Sequence, residues 1–90
     1  MPTIASRFPP TILFHGTADR AVPVQTSVLV HQALTENGAK SELHVLDGVG
    51  HGYDQDPNLA EASATWIDLF LDRHVVNPRF YGAGGEVMQR

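Results

Sequence analysis

The chain contains no cysteine in its 90 residues. No disulfide can brace it, and cysteine usage assigns no redox compartment. A basic excess is missing as well: six Lys and Arg against ten Asp and Glu give a net charge of −4 and a pI near 5.6. That balance disfavours nucleic acid or an anionic membrane as a partner, because both require a basic patch. No apolar stretch approaches the roughly 18 residues of a membrane span. Arg7 is not followed by an apolar run, so no signal peptide is expected and localisation stays unassigned. Repeats and low-complexity tracts are absent. What remains is a globular composition, 42% hydrophobic and 18% charged. A chain of this length buries only roughly 60–65% of its unfolded surface, so marginal stability is expected.

Two short apolar runs punctuate the sequence. Residues 1–9 read as a leader or linker, and Pro9-Pro10 imposes an extended entry. Thr11-Ile12-Leu13-Phe14 suits a strand buried on both faces. Pro23 stands where a helix can begin, and that helix is expected to run to about Glu36. Leu29 with Ala33, and Val30 with Leu34, have the spacing of a buried helical face. Asn37-Gly38 is a stop signal. Glu42 to Leu46 is the second strand, and Asp47-Gly48 a turn. Asp56 is the expected N-cap of a second helix with Pro57 at its first position. Leu59, Ser63, Trp66 and Phe70 then form a stripe on a helix ending near His74. Residues 75–90 read as an irregular tail. The fold class predicted is α/β, a βαβα unit with two parallel strands. Ile12, Leu13, Leu43, Val45, Trp66 and Phe70 are its expected core.

A two-stranded parallel sheet is not self-sufficient, since such sheets have several strands and both faces covered. The Thr11–Phe14 run would otherwise be an open apolar edge. The layer is therefore expected to be incomplete, and to self-associate or to lean on a partner.

An acid and a histidine each follow one of these strands on a tight turn. His15-Gly16-Thr17-Ala18-Asp19-Arg20-Ala21-Val22-Pro23 follows the first, and Gly48-Val49-Gly50-His51-Gly52 the second. The carboxyl ends of parallel strands lie on one edge of a sheet, which is where such a pair would be displayed. Asp19 is also readable as a turn or capping residue, and His51 as an exposed loop histidine. Their order and context favour a joint catalytic role. His15 reads as structural, packing under the Asp19 turn. His31 and His44 fall on the polar sides of their elements. A zinc site from His15, Asp19 and His51 lacks the spacing of any known zinc motif.

The two motifs resemble the last two members of the Ser…Asp…His triad of α/β-hydrolases, in that family's chain order. The likeness extends from about Pro10 to His74, and it implies the last two sheet strands, the helix between them and the final helix. It also implies that the two helices lie on opposite faces of the sheet. Leu34 to Leu43 resembles the helix–Gly–strand step of secreted carbohydrate-type esterases and of prolyl oligopeptidase-type peptidases. The resemblance implies that Asp19 holds the imidazole tautomer while His51 is the general base. No cofactor is implied. No Gly-x-Ser-x-Gly occurs in the sequence, and Ser6, Ser27, Ser41 and Ser63 do not stand on a strand-to-helix elbow. The expected function is thus the C-terminal segment of a serine hydrolase acting on a small ester, with the nucleophile lacking and the chain inactive alone. A prolyl oligopeptidase-type peptidase segment with a peptide substrate, and a non-catalytic interaction module, are the alternatives.

Overall fold

The computed structural model describes residues 8–81 and 87–89. Strand β1 spans Thr11–Gly16, helix α1 Val24–Glu36, strand β2 Ser41–Leu46 and helix α2 Pro57–Leu71. A 3-10 turn, Tyr53–Gln55, precedes α2, and a π-helical turn, Asp72–Val76, continues it past the expected end at His74. β1 and β2 pair in parallel, with Thr11 opposite Ser41 and Gly16 opposite Leu46. The protein is therefore an α/β unit with two parallel strands and two helices.

Local chemistry sets the helix limits. Asn37 and Gly38 close α1 in a Schellman turn: Ala39 N–H donates to Leu34 O at 2.9 Å and Gly38 N–H to Thr35 O at 3.1 Å. Gly38 has φ 84°, a value that glycine adopts without strain. Leu34 and Ala39, the apolar pair of that motif, are both buried. At the other helix, the Asp56 carboxylate accepts from Asn58 N–H at 2.9 Å, with Pro57 at the first position.

Strand alternation assigns each helix a face. Ser27 of α1 bonds His15, and His31 of α1 bonds Ser41, so α1 lies on the odd-numbered face. Trp66 of α2 packs on His44 with ring centroids 4.6 Å apart, and Arg73 pairs with Glu42, so α2 lies on the even-numbered face. The helices thus cover opposite faces. Phe14 and His44, partners in the register, stack at 5.0 Å under α2.

Burial departs from the periodicity in two places. On α1, Leu29 is 64% exposed, Val30 44% exposed, and Ala33 is also exposed. Of the four expected positions only Leu34 turns inward; the stripe it belongs to also contains the half-buried Val24, Ser27, Val28 and His31. Ser27 and His31 are polar members of that stripe, satisfied by hydrogen bonds to the strands, and an apolar pattern does not detect them. Within the expected core, Phe70 is 2% exposed, but Val45 is 47% and Trp66 45% exposed. Val45 lies on a strand that has one neighbour in its sheet, and the Trp66 ring meets His44 at a tilt of 43°. Ile12, Leu13 and Leu43 are half-buried.

The C-terminal stretch contains more structure than its composition suggests. β3, Arg79–Tyr81, pairs antiparallel with β4, Val87–Gln89. Residues 1–7 of the expected leader, residues 82–86 and Arg90 lie outside the described residues, as does Ser6. No described helix is long and apolar enough to cross a membrane.

Candidate active site

The loops after β1 and β2 leave the sheet at the same edge and are laced together by backbone. Thr17 N–H donates to Leu46 O at 3.0 Å, and Ala18 N–H to Val49 O at 3.0 Å. Gly48 N–H donates to Thr17 Oγ1 at 2.7 Å. Gly16 is buried at the crossing: a Cβ there would stand 1.9 Å from Val49 O. Only glycine permits this approach, and the approach sets how closely the residues beyond each strand can meet.

Asp19 and His51, 32 positions apart in sequence, meet across these loops. His51 Nδ1 and Asp19 Oδ2 are 3.0 Å apart. The other carboxylate oxygen, Oδ1, accepts from Ala21 N–H at 2.8 Å and Val22 N–H at 2.9 Å. The Asp19 side chain is 7% exposed and that of His51 66% exposed. The acid is thus covered while the imidazole faces outward. The Val22 N–H, then the hydrogen bond from His51, hold the Asp19 carboxyl well below its usual value, at about 2. An ionised carboxylate on Nδ1 requires the proton there, which leaves Nε2 with the lone pair in neutral His51.

His51 lines an open cleft of about 420 Å³ with Phe14, Val22, Gly50, Gly52 and Tyr53. Gly52 has φ 77° and turns the chain into the 3-10 segment that carries Tyr53. The rings of Phe14 and Tyr53 are 6.2 Å apart, so one wall of the cleft is aromatic. Among the described residues no group of three His, Asp or Glu side chains is placed to hold a metal ion.

The expected pair is therefore adjacent, at one sheet edge. His15 does pack under the Asp19 turn, but it is also a hydrogen-bonding residue. It is buried, with Nδ1 2.5 Å from Ser27 Oγ, Nε2 2.8 Å from Val22 O, and Nε2 3.3 Å from Asp19 Oδ2. The sequence assigned no part in the site to Gly16, Thr17, Ser27 or Tyr53, although Gly16 and Thr17 lie within the first motif. A glycine directly after a strand does hint at close backbone approach. The parts played by Thr17, Ser27 and Tyr53 carry no such sign. Ser27, Ser41 and Ser63 sit on α1, β2 and α2, and the first two are engaged by His15 and His31.

The profile of the prolyl oligopeptidase family matches residues 3–77. A native esterase structure from the planctomycete Thermogutta terrifontis superposes with a TM-score of 0.68 at 38% identity, covering 72% of this chain and 25% of that one. Among curated proteins, a probable isoprenylcysteine alpha-carbonyl methylesterase of rice (Oryza sativa subsp. japonica) is 43% identical over 54 residues, which are 58% of this chain and 13% of that protein. A non-reducing polyketide synthase of Penicillium brasilianum is 42% identical over 50 residues, 56% of this chain and 2% of the synthase. The chain thus spans a small part of the length of the proteins it matches. A match across residues 3–77, joined to the α/β-hydrolase geometry of the β1 and β2 loops, shows that the chain belongs to the prolyl oligopeptidase family of hydrolases.

Proposed function

We propose that this segment supplies the general base and its supporting acid to a serine ester hydrolase. The observation that carries the reading is the 3.0 Å bond from His51 to Asp19, with the imidazole exposed on a cleft and the carboxylate covered beneath it. His51 Nε2 would take the hydroxyl proton as a serine oxygen attacks the ester carbonyl. It would return that proton to the departing alkoxide, leaving an acyl-enzyme, then deprotonate a water that attacks the acyl carbonyl and pass that proton to the serine oxygen as the acid leaves. Asp19 stays ionised throughout and stabilises the imidazolium formed in each step. The serine and the oxyanion donors come from outside these 90 residues, since no Gly-x-Ser-x-Gly lies within them.

Ester hydrolysis is preferred to peptide hydrolysis because the solved relatives are esterases and curated relatives include methylesterases. Thermogutta terrifontis esterase 2 has been solved with propionate and with butyrate bound. Esters of short acyl chains are accordingly the substrates to try first. The family match keeps a peptidase as the second reading.

The test is a chimera in which residues 10–77 replace the matching segment of the Thermogutta esterase. A folded chimera should hydrolyse p-nitrophenyl butyrate, should be inert to a prolyl p-nitroanilide peptide, and should lose its activity with His51→Ala. Preference for the anilide would favour the peptidase. A folded chimera without either activity would leave the interaction module as the better reading, and sedimentation of the 90-residue chain would then examine self-association through the sheet edges.

A further inference from the structure

The carboxylate of Asp19 touches two imidazoles, and only His51 has a place in the chemistry above. His15 approaches from beneath. Its Nε2 faces two oxygens, Val22 O at 2.8 Å and Asp19 Oδ2 at 3.3 Å, and neither oxygen can donate a proton. A lone pair on Nε2 would point at both acceptors, so Nε2 must bear hydrogen. Nδ1 then carries the lone pair in the neutral ring, and the Ser27 hydroxyl, 2.5 Å away, is placed to donate to it. Every polar atom of this buried ring is satisfied in one tautomer only. The ring nitrogen that holds the proton is decided by the bond the other nitrogen makes.

The Val22 contact links His15 to the acid a second time. Val22 N–H donates to Asp19 Oδ1, while Val22 O accepts from His15 Nε2–H. His15 therefore holds the carbonyl of the same residue whose N–H solvates the carboxylate. Ser27 anchors the ring to α1, so the loop bearing Asp19 is tied to a helix and not only to the strand it follows.

We propose that His15, held in its Nε2–H tautomer by Ser27, is a positioning residue for Asp19: it clamps the 19–22 turn and keeps the carboxylate aimed at His51. The inference rests on the reading of Asp19 and His51 as a working acid–base pair, but it makes a claim of its own about the folded chain. His15 is a positioning residue and not a catalytic one, because it acts through Asp19; its buried ring borders the floor of the cleft.

The test is NMR on the full 90-residue chain, following the Asp19 side-chain carboxyl carbon against pH while the amide spectrum stays dispersed. His15→Leu removes the donor and retains apolar bulk. It should raise the Asp19 midpoint from its low value by about one unit or more, a tenfold change in acid dissociation. His15→Gln, which keeps an N–H donor, should restore at least half of that shift, and simple loss of packing would not be rescued in this way. An unchanged Asp19 midpoint in folded His15→Leu overturns the proposal. Should that variant fail to fold, the wild-type ring decides: long-range proton–nitrogen correlations at about pH 8 should show His15 protonated at Nε2, and protonation at Nδ1 overturns the proposal. Hydrolysis enters neither measurement. An inactive chimera together with a responsive Asp19 would reject the ester hydrolase and keep the clamp, and the reverse pairing would reject the clamp alone.

Discussion

Gly16→Ala is the substitution whose outcome the structure constrains most tightly. The added Cβ would lie 1.9 Å from Val49 O and 2.5 Å from the Val49 carbonyl carbon, and both are backbone atoms. Ordinary contact begins near 3.4 Å, so the carbonyl has to retreat by about 3.4 − 1.9 = 1.5 Å. Val49 O accepts from Ala18 N–H at 3.0 Å, and a retreat of that size breaks the bond. Overpacking costs about 1–3 kcal/mol and the lost hydrogen bond about 0.5–1.5, so together they cost about 1.5–4.5 kcal/mol. The same displacement carries His51, two residues on, away from Asp19. Urea unfolding followed at Trp66 provides the assay. With a slope of about 1 kcal/mol per molar for so small a chain, the midpoint should fall by about 1.5 M or more. Outright unfolding is the extreme of the same result. Gly50→Ala is the control, because the nearest atom to its added Cβ is Ala18 O at 3.9 Å and its φ is not positive. It should move stability by no more than about 0.5 kcal/mol. The reasoning fails if Gly16→Ala unfolds within about 0.5 M of wild type while the His51 Nδ1–H resonance is retained.

In the esterase chimera, His51→Ala should lower kcat by about 10⁶-fold and Asp19→Asn by about 10⁴-fold, on the precedent of other serine hydrolases, with steady-state kinetics on p-nitrophenyl butyrate as the check. The 90-residue chain alone should take up no stoichiometric fluorophosphonate label, because a base without an activated serine forms no covalent adduct; mass spectrometry showing a labelled Ser27, Ser41 or Ser63 contradicts this. Stability should depend on pH at the acid end. The Asp19 carboxyl is depressed from 3.8 to about 2, so between these values the unfolded chain binds more protons than the folded one. Its contribution is complete above about 4 and disappears as pH falls through about 2, and Asp19→Asn should flatten that slope in unfolding curves taken from pH 2 to 5. Glu42 adds to the same slope: burial pushes its carboxyl up, but the bonds from His44 and Arg73 outweigh this and hold it below its usual value. Glu42→Ala leaves the half-buried Arg73 without that carboxylate and should cost about 1–3 kcal/mol by thermal unfolding, between the values for exposed and buried pairs.

The order of elements and the meeting of Asp19 with His51 were legible in the sequence, because both follow from local rules. Runs of β-prone residues, a Pro at each helix start and Asn37-Gly38 at a helix end are short-range signals. Two parallel strands necessarily send the loops at their carboxyl ends to one edge, so an acid after β1 and a histidine after β2 must share it. The tertiary structure alone decided which face of α1 turns inward. Apolar spacing pointed to Leu29 with Ala33 and to Val30 with Leu34; only Leu34 of these turns inward, beside Ser27 and His31, which bond His15 and Ser41. Polar residues are accepted at such positions only when a partner lies within reach, and that partner is set by the strand register, which no helix-length window contains. The same holds for Gly16 against Val49 and for His15 beneath Asp19. Each is a contact between segments far apart in the chain, fixed by how β1 and β2 align and by how closely their loops can pass.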